Sequence, residues 1–189
     1  RVTWARATEF RAWIWATRPE WRSLFVSHSS PLAVEHSRLC RQLVERVWYR
    51  TNFGGGWTLA GDQNAKDHYS TTKGGHRFSI GMTGGIMGHG GDLVCVDDPL
   101  TATESWSEAA RSEAKRIVGV LPMRLNEPKT GRMVMIMQRL HEDDPAAFVL
   151  SGGNWEHLCL PSLFEPDRKC VTYHTVTAMT IRITIARRI

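Results

Sequence analysis

The 189 residues contain no long apolar run. The longest uninterrupted stretches are a handful of residues, as at 133–137, against the roughly 18 that a membrane-spanning helix needs. No membrane partner is expected. The chain opens at Arg1 without the charged head, apolar middle and small-residue cleavage site of a secretory signal, so it is expected to be a fragment rather than a secreted precursor. Cysteine is scarce, and Cys40, Cys95, Cys159 and Cys170 show no CxxC spacing. Three of them sit inside apolar segments, as small buried hydrophobes do, so neither a zinc site nor a disulfide framework is indicated, which suits a reducing cytoplasm. Internal repeats and low-complexity linkers are also missing.

What is present, 42% hydrophobic and 23% charged residues, suffices for one globular domain with a sizeable core. The net charge of +5 is unevenly spread. Residues 1–50 carry nine arginines and four glutamates, residues 51–167 carry ten basic and fifteen acidic residues, and residues 168–189 carry five basic residues and no acid. The body therefore sums to zero, and a nucleic-acid surface would have to lie in the N-terminal third, where a charge run also reads as a solvated helix face.

Short apolar runs alternate with helical segments. Residues 22–30 read as a buried strand entering a helix, with Ser30 as cap and Pro31 in the first turn. That helix is expected to reach about Arg50, burying Leu39, Cys40, Leu43, Val44, Val47 and Trp48 at three-four spacing. Lys73-Gly-Gly-His76 suggests a hairpin. The runs 93–96 and 133–137 are apolar on both faces, as central strands of a helix-covered parallel sheet are, and the helical stretch at about 104–121 between them makes a crossover unit. A last run, 157–160, stops at Pro161. Trp13 and Trp15 are two apart and cannot share one helical face.

Parallel strands would bring Ser27 to Ser29, Asp97-Asp98 and Gln138-Arg139 to one sheet edge, the edge where open α/β folds bind ligands. Adjacent carboxylates at a strand end suit phosphoryl transfer to water, one holding magnesium and the other orienting or deprotonating the water. Asp-Asp-Pro is equally an ordinary turn. The glycine-rich segment 84–91 lacks lysine and leads into a strand, so it reads as turn glycines or a mobile loop rather than a phosphate loop. His141-Glu-Asp-Asp144 could ligate a catalytic metal, or Asp144 and Pro145 could simply start a helix.

Segments 10–15, 57–66 with Asp62-Gln63-Asn64, 83–99 with Gly-Gly-Asp-Leu-Val-Cys-Val-Asp-Asp-Pro, 124–128, 138–144 and 155–161 together resemble, in order, the ATPase part of the large terminase subunit of tailed double-stranded DNA bacteriophages. The resemblance spans about residues 1–167. It implies an α/β, three-layer P-loop NTPase-type domain with a mostly parallel central sheet, truncated at its N-terminus and lacking the family's C-terminal nuclease domain. It also implies ATP and Mg2+ as cofactors. Residues 93–96 would be the Walker B strand, Asp97 the magnesium carboxylate and Asp98 the water-activating acid, an aspartate where many relatives have glutamate. Gln138 would couple hydrolysis to DNA movement, Arg139 would sense phosphate, and Thr3 would end the phosphate loop. The family's loop lysine falls at Val2, which cannot hold a phosphate. The implied partners are double-stranded DNA, the portal protein, the small terminase subunit and further copies in a ring, and the implied place is the host bacterial cytoplasm, transiently at the procapsid portal.

Residues 168–189 form an atypical basic tail without acid, glycine or proline, in which Thr-Ile-Arg-Ile-Thr-Ile alternates like a strand with no turn to pair it. A shift of reading frame near Cys170 accounts for this and for the end of the resemblance; a genuine edge strand is the alternative. For the chain as a whole, two other readings stand beside the motor fragment: a noncatalytic DNA- or protein-binding fragment, and a metal-dependent nuclease using the acids after His141.

Overall fold

A computed structural model describes residues 3–86, 88–159 and 184–188. The elements are α1 (Thr3–Thr17), β1 (Arg22–Ser27), α2 (Ser30–Glu45), α3 (Val47–Phe53), β2 (Leu59–Asn64), β3 (His68–Thr71), β4 (His76–Gly81), β5 (Leu93–Asp97), α4 (Glu108–Val120), β6 (Arg132–Arg139), α5 (Pro145–Ser151), β7 (His157–Cys159) and β8 (Thr184–Arg188). The strands form one mixed sheet in the order β2-β3-β4-β1-β5-β6-β8-β7. From β4 onward every neighbouring pair is parallel, while the β2-β3-β4 flank is antiparallel.

Helices cover both faces. Leu24, Val26, Val94, Val96, Met133, Met135 and Met137 pack against Ala114, Ile117 and Val118 of α4 and Ala146 and Val149 of α5. On the other face Phe25, Leu93, Cys95, Val134 and Ile136 lie under Ile14 of α1. Every residue of β5 is buried, which is why its sequence is a continuous apolar run rather than an alternation. The α/β class, the crossover from β5 through α4 to β6, and the hairpin at 72–75 all match the expectation from sequence. In that hairpin Gly74 takes φ +84°, a conformation that favours glycine.

Besides the cap of α2, which is Ser29 rather than the expected Ser30, two expectations are corrected. The helix from Ser30 does not continue to Arg50: Arg46 is extended (φ −61°, ψ 140°), and α3 starts afresh behind it. The break rotates the apolar stripe. Val47 and Trp48 are 82% and 63% exposed, and Tyr49 turns inward instead to donate from its hydroxyl to the Ala12 carbonyl at 2.5 Å. The second correction concerns residues 184–188. They are paired on both sides, as β8 between β6 and β7, in place of the unpaired strand expected. The expected phosphate-loop lysine position, Val2, lies outside the described residues.

The tryptophans divide as the spacing requires. Trp15 is fully buried against Trp57 and Tyr69, whereas Trp13 faces outward and stacks on Phe10. Among the described residues no helix is long and apolar enough to cross a membrane.

Candidate functional site at the carboxyl edge of the sheet

The parallel register of β1, β5 and β6 decides where the polar residues after each strand lie. Ser27 pairs with Asp97, and Asp97 with Ile136, so Ser27, Asp97, Asp98 and Gln138 share the carboxyl edge on three adjacent strands. Helix α1 runs back across the sheet. Near its end, Arg11 and Trp15 donate to the Trp21 carbonyl beside the start of β1. Thr3 is the first residue of α1. The Thr3 side chain lies outside the described residues.

Asp97 is 2% exposed. Its Oδ2 stands 3.1 Å from Nδ1 of His36 on α2, while Oδ1 has no hydrogen-bond partner among the described residues. A buried, unpartnered carboxylate oxygen is a donor of the kind a hard cation prefers. No group of three or more His, Cys, Asp and Glu side chains among the described residues could hold a metal alone. A magnesium ion here would therefore need most of its ligands from water and phosphate, as the ion of a nucleotide substrate does.

Asp98 has φ 43° and is the one non-glycine with positive φ among the described residues. Aspartate tolerates this region better than most side chains, yet the conformation stores strain, and strained backbone concentrates at functional positions. It is held by its N–H, which donates to the Ile136 carbonyl at 2.8 Å. Burial and the neighbouring Asp97 charge push the Asp98 carboxyl up to about 6, against the opposing pull of the Gln138 backbone N–H and of His28 and His36. A carboxyl near 6 accepts a proton from water far more readily than an ordinary aspartate and is still ionised at neutral pH.

Arg139 is placed differently from a free phosphate sensor. Its Nε donates to Asp144 Oδ2 at 2.9 Å, and the same carboxylate accepts from the N–H groups of Leu140 and Ala147. Asp144 is thus the N-cap of α5, with Pro145 in the first turn. Asp143 is engaged by Lys115 at 2.6 Å and lies 3.6 Å from Arg111, and His141 Nδ1 accepts from the Asp143 N–H. Asp143 and Asp144 brace and cap helices here, and among the described residues they do not join His141 in a group that could hold a metal, as the rival nuclease reading needs.

A cavity of about 190 Å³ adjoins the edge on the α4 side, lined by His28, Thr83, Leu100, Glu104, Glu113 and Ile117 among others. It is smaller than the few hundred Å³ of typical cofactor pockets. The residue that sequence reasoning missed is His36. The signal was available: Ala33, His36, Ser37, Cys40 and Val44 form the buried stripe of α2, and a histidine on such a stripe needs a polar partner. No protein-family model matches the chain, and no curated protein matches it.

Proposed function

We propose that the chain carries the hydrolytic edge of an ATP-driven DNA-packaging motor, the large terminase subunit of a tailed bacteriophage, with a P-loop type of sheet. The observation that supports this reading is the convergence of Asp97, Asp98 and Gln138 at the ends of adjacent parallel strands. In this reading Asp97 would hold the magnesium of Mg·ATP, and that ion would supply charge neutralisation at the phosphates. Asp98 orients the attacking water and takes its proton, which its raised pKa suits. Gln138, one strand over, would in this reading register the γ-phosphate and pass its loss along β6. Arg139 supports the edge through the α5 cap rather than through phosphate. His36 fixes the Asp97 carboxylate.

Catalysis of phosphoryl transfer is mostly positioning and charge stabilisation. A lysine and loop amides are what position the β- and γ-phosphates, and residue 2 is valine. The chain as given therefore binds no triphosphate productively and does not turn ATP over. In the whole motor the partners are double-stranded DNA, the portal protein, the small terminase subunit and further copies in a ring, in the host cytoplasm at the procapsid.

The test compares ATP turnover by three chains: the one given, one preceded by a terminase-type strand and phosphate loop with Val2→Lys, and the latter with Asp98→Asn. Turnover should be undetectable in the first, appear in the second and fall about 10²- to 10⁴-fold in the third with nucleotide binding retained. Hydrolysis by the first chain, or undiminished hydrolysis by the third, would show the site to be elsewhere.

A further inference from the structure

Arg11 of α1 and Arg77 of β4 are 0% and 1% exposed. Arginine is rarely buried so completely without an acid beside it, yet neither forms a salt bridge among the described residues. Their hydrogen bonds are to neutral groups. Arg11 Nη2 donates to the carbonyls of Trp21 at 2.5 Å and His76 at 3.1 Å, and Arg77 Nε donates to Ser79 Oγ at 3.0 Å. The guanidinium carbons stand 4.0 Å from the Trp15 ring centroid and 3.7 Å from that of Phe25, so aromatic faces supply part of the missing negative potential.

A set of donors is left over. Arg11 Nε and Nη1, Arg77 Nη1 and the hydroxyls of Ser23 and Ser37 have no partner among the described residues. Ser23 stands directly opposite Arg77 in the β1–β4 register, and Ser37 is on the buried face of α2. Burial, with the Arg77 charge adding to it, brings the Arg11 guanidinium down to about 9, which still leaves it a cation at neutral pH.

We propose that Arg11 and Arg77 hold a small monovalent anion, a halide, in the buried layer between α1, α2 and β4. Water alone would satisfy the N–H groups but leave two like charges uncompensated in an apolar surround. A halide offsets one charge and accepts from N–H and O–H donors in any direction, which suits donors drawn from a helix, a strand and a second helix. A divalent oxyanion would bring a larger desolvation cost and more volume. Within the chain, Cys40 on α2 and the hydroxyls of Tyr49 and Tyr69 are also within electrostatic reach of Arg11. This site is separate from the carboxyl edge, and its test is independent of ATP turnover.

The test is thermal unfolding of the full chain at constant sodium and ionic strength, with gluconate replaced stepwise by chloride. An ion that binds only the folded state stabilises it by mass action, so each tenfold rise in chloride above its dissociation constant should lift the midpoint by about 4 °C. Bromide should substitute, and Arg77→Met should abolish the chloride-specific rise. If Arg77→Met fails to fold, crystals of the unaltered chain soaked in bromide should show an anomalous peak between the two guanidinium groups. Equal midpoints in chloride and gluconate, or no such peak, would overturn the proposal.

Discussion

His76 shows how one side chain couples this fold to pH. It begins β4, with its ring 5.3 Å from that of His68, and burial first, then His68, Arg11 and Arg22, lower its pKa from 6.5 to about 4. The folded chain therefore keeps it neutral while the unfolded chain protonates it between those values. Its contribution to stability is present above pH 6.5 and is lost as pH falls toward 4. Asp98 acts in the opposite sense: its raised pKa makes the folded state the better proton binder between pH 3.8 and 6, so ionising it costs stability as pH rises. The two slopes partly cancel in the unaltered chain. Denaturant titrations at pH 7.5 and 4.5 should show His76→Gln losing less stability on acidification than the parent, and Asp98→Asn losing more. A parent and His76→Gln with the same pH dependence would count against the buried neutral imidazole.

At the scale of elements, two predictions separate packing from pattern. The break at Arg46 leaves Val47 in solvent while Val44, one turn earlier, is 1% exposed. Val44→Ala should cost about 2 kcal/mol in urea unfolding and Val47→Ala less than about 0.5 kcal/mol. A continuous helix with the stripe expected from spacing would make the two costs alike. The start of α5 depends on one carboxylate: Asp144 satisfies two backbone N–H groups and the Arg139 guanidinium while wholly buried. Asp144→Ala removes the cap and leaves those donors unpaired, so a loss of about 2 to 4 kcal/mol is expected. Asp144→Asn should recover part of it, since the amide oxygen still caps but cannot pair with Arg139 as a charge.

For the whole molecule, the position of β8 sets the test. It joins β6 to β7, and without it β6 would present the edge of an apolar run, Met133 to Met137. Unpaired apolar edges recruit other chains. A chain ending at residue 167 should melt several degrees lower than the full chain and self-associate in light scattering at micromolar concentration. Equal melting and a monodisperse truncated chain would show that the strand contributes nothing, in keeping with a tail foreign to the fold.

The sequence by itself determined the local matters. Leu93 to Val96 and Met133 to Met137 read as strands buried on both faces because nothing in them tolerates water, and Asp144-Pro145 read either as a helix start or as part of a metal site, of which the structure shows the helix start. Parallel pairing followed from the length of the crossover between them, and with it the shared edge of Asp97, Asp98 and Gln138. Tertiary structure decided the rest. The spacing of 39–48 is compatible with one helix, and the turn at Arg46 brings Tyr49 to the Ala12 carbonyl, 37 residues away. Asp97 meets His36, and Arg11 approaches Arg77, across 61 and 66 residues of chain. Periodicity reports which way a side chain faces its own element's neighbours. It carries no information about which distant polar group arrives opposite, and that arrival sets the charge, the pKa and the open ligand positions of a buried site.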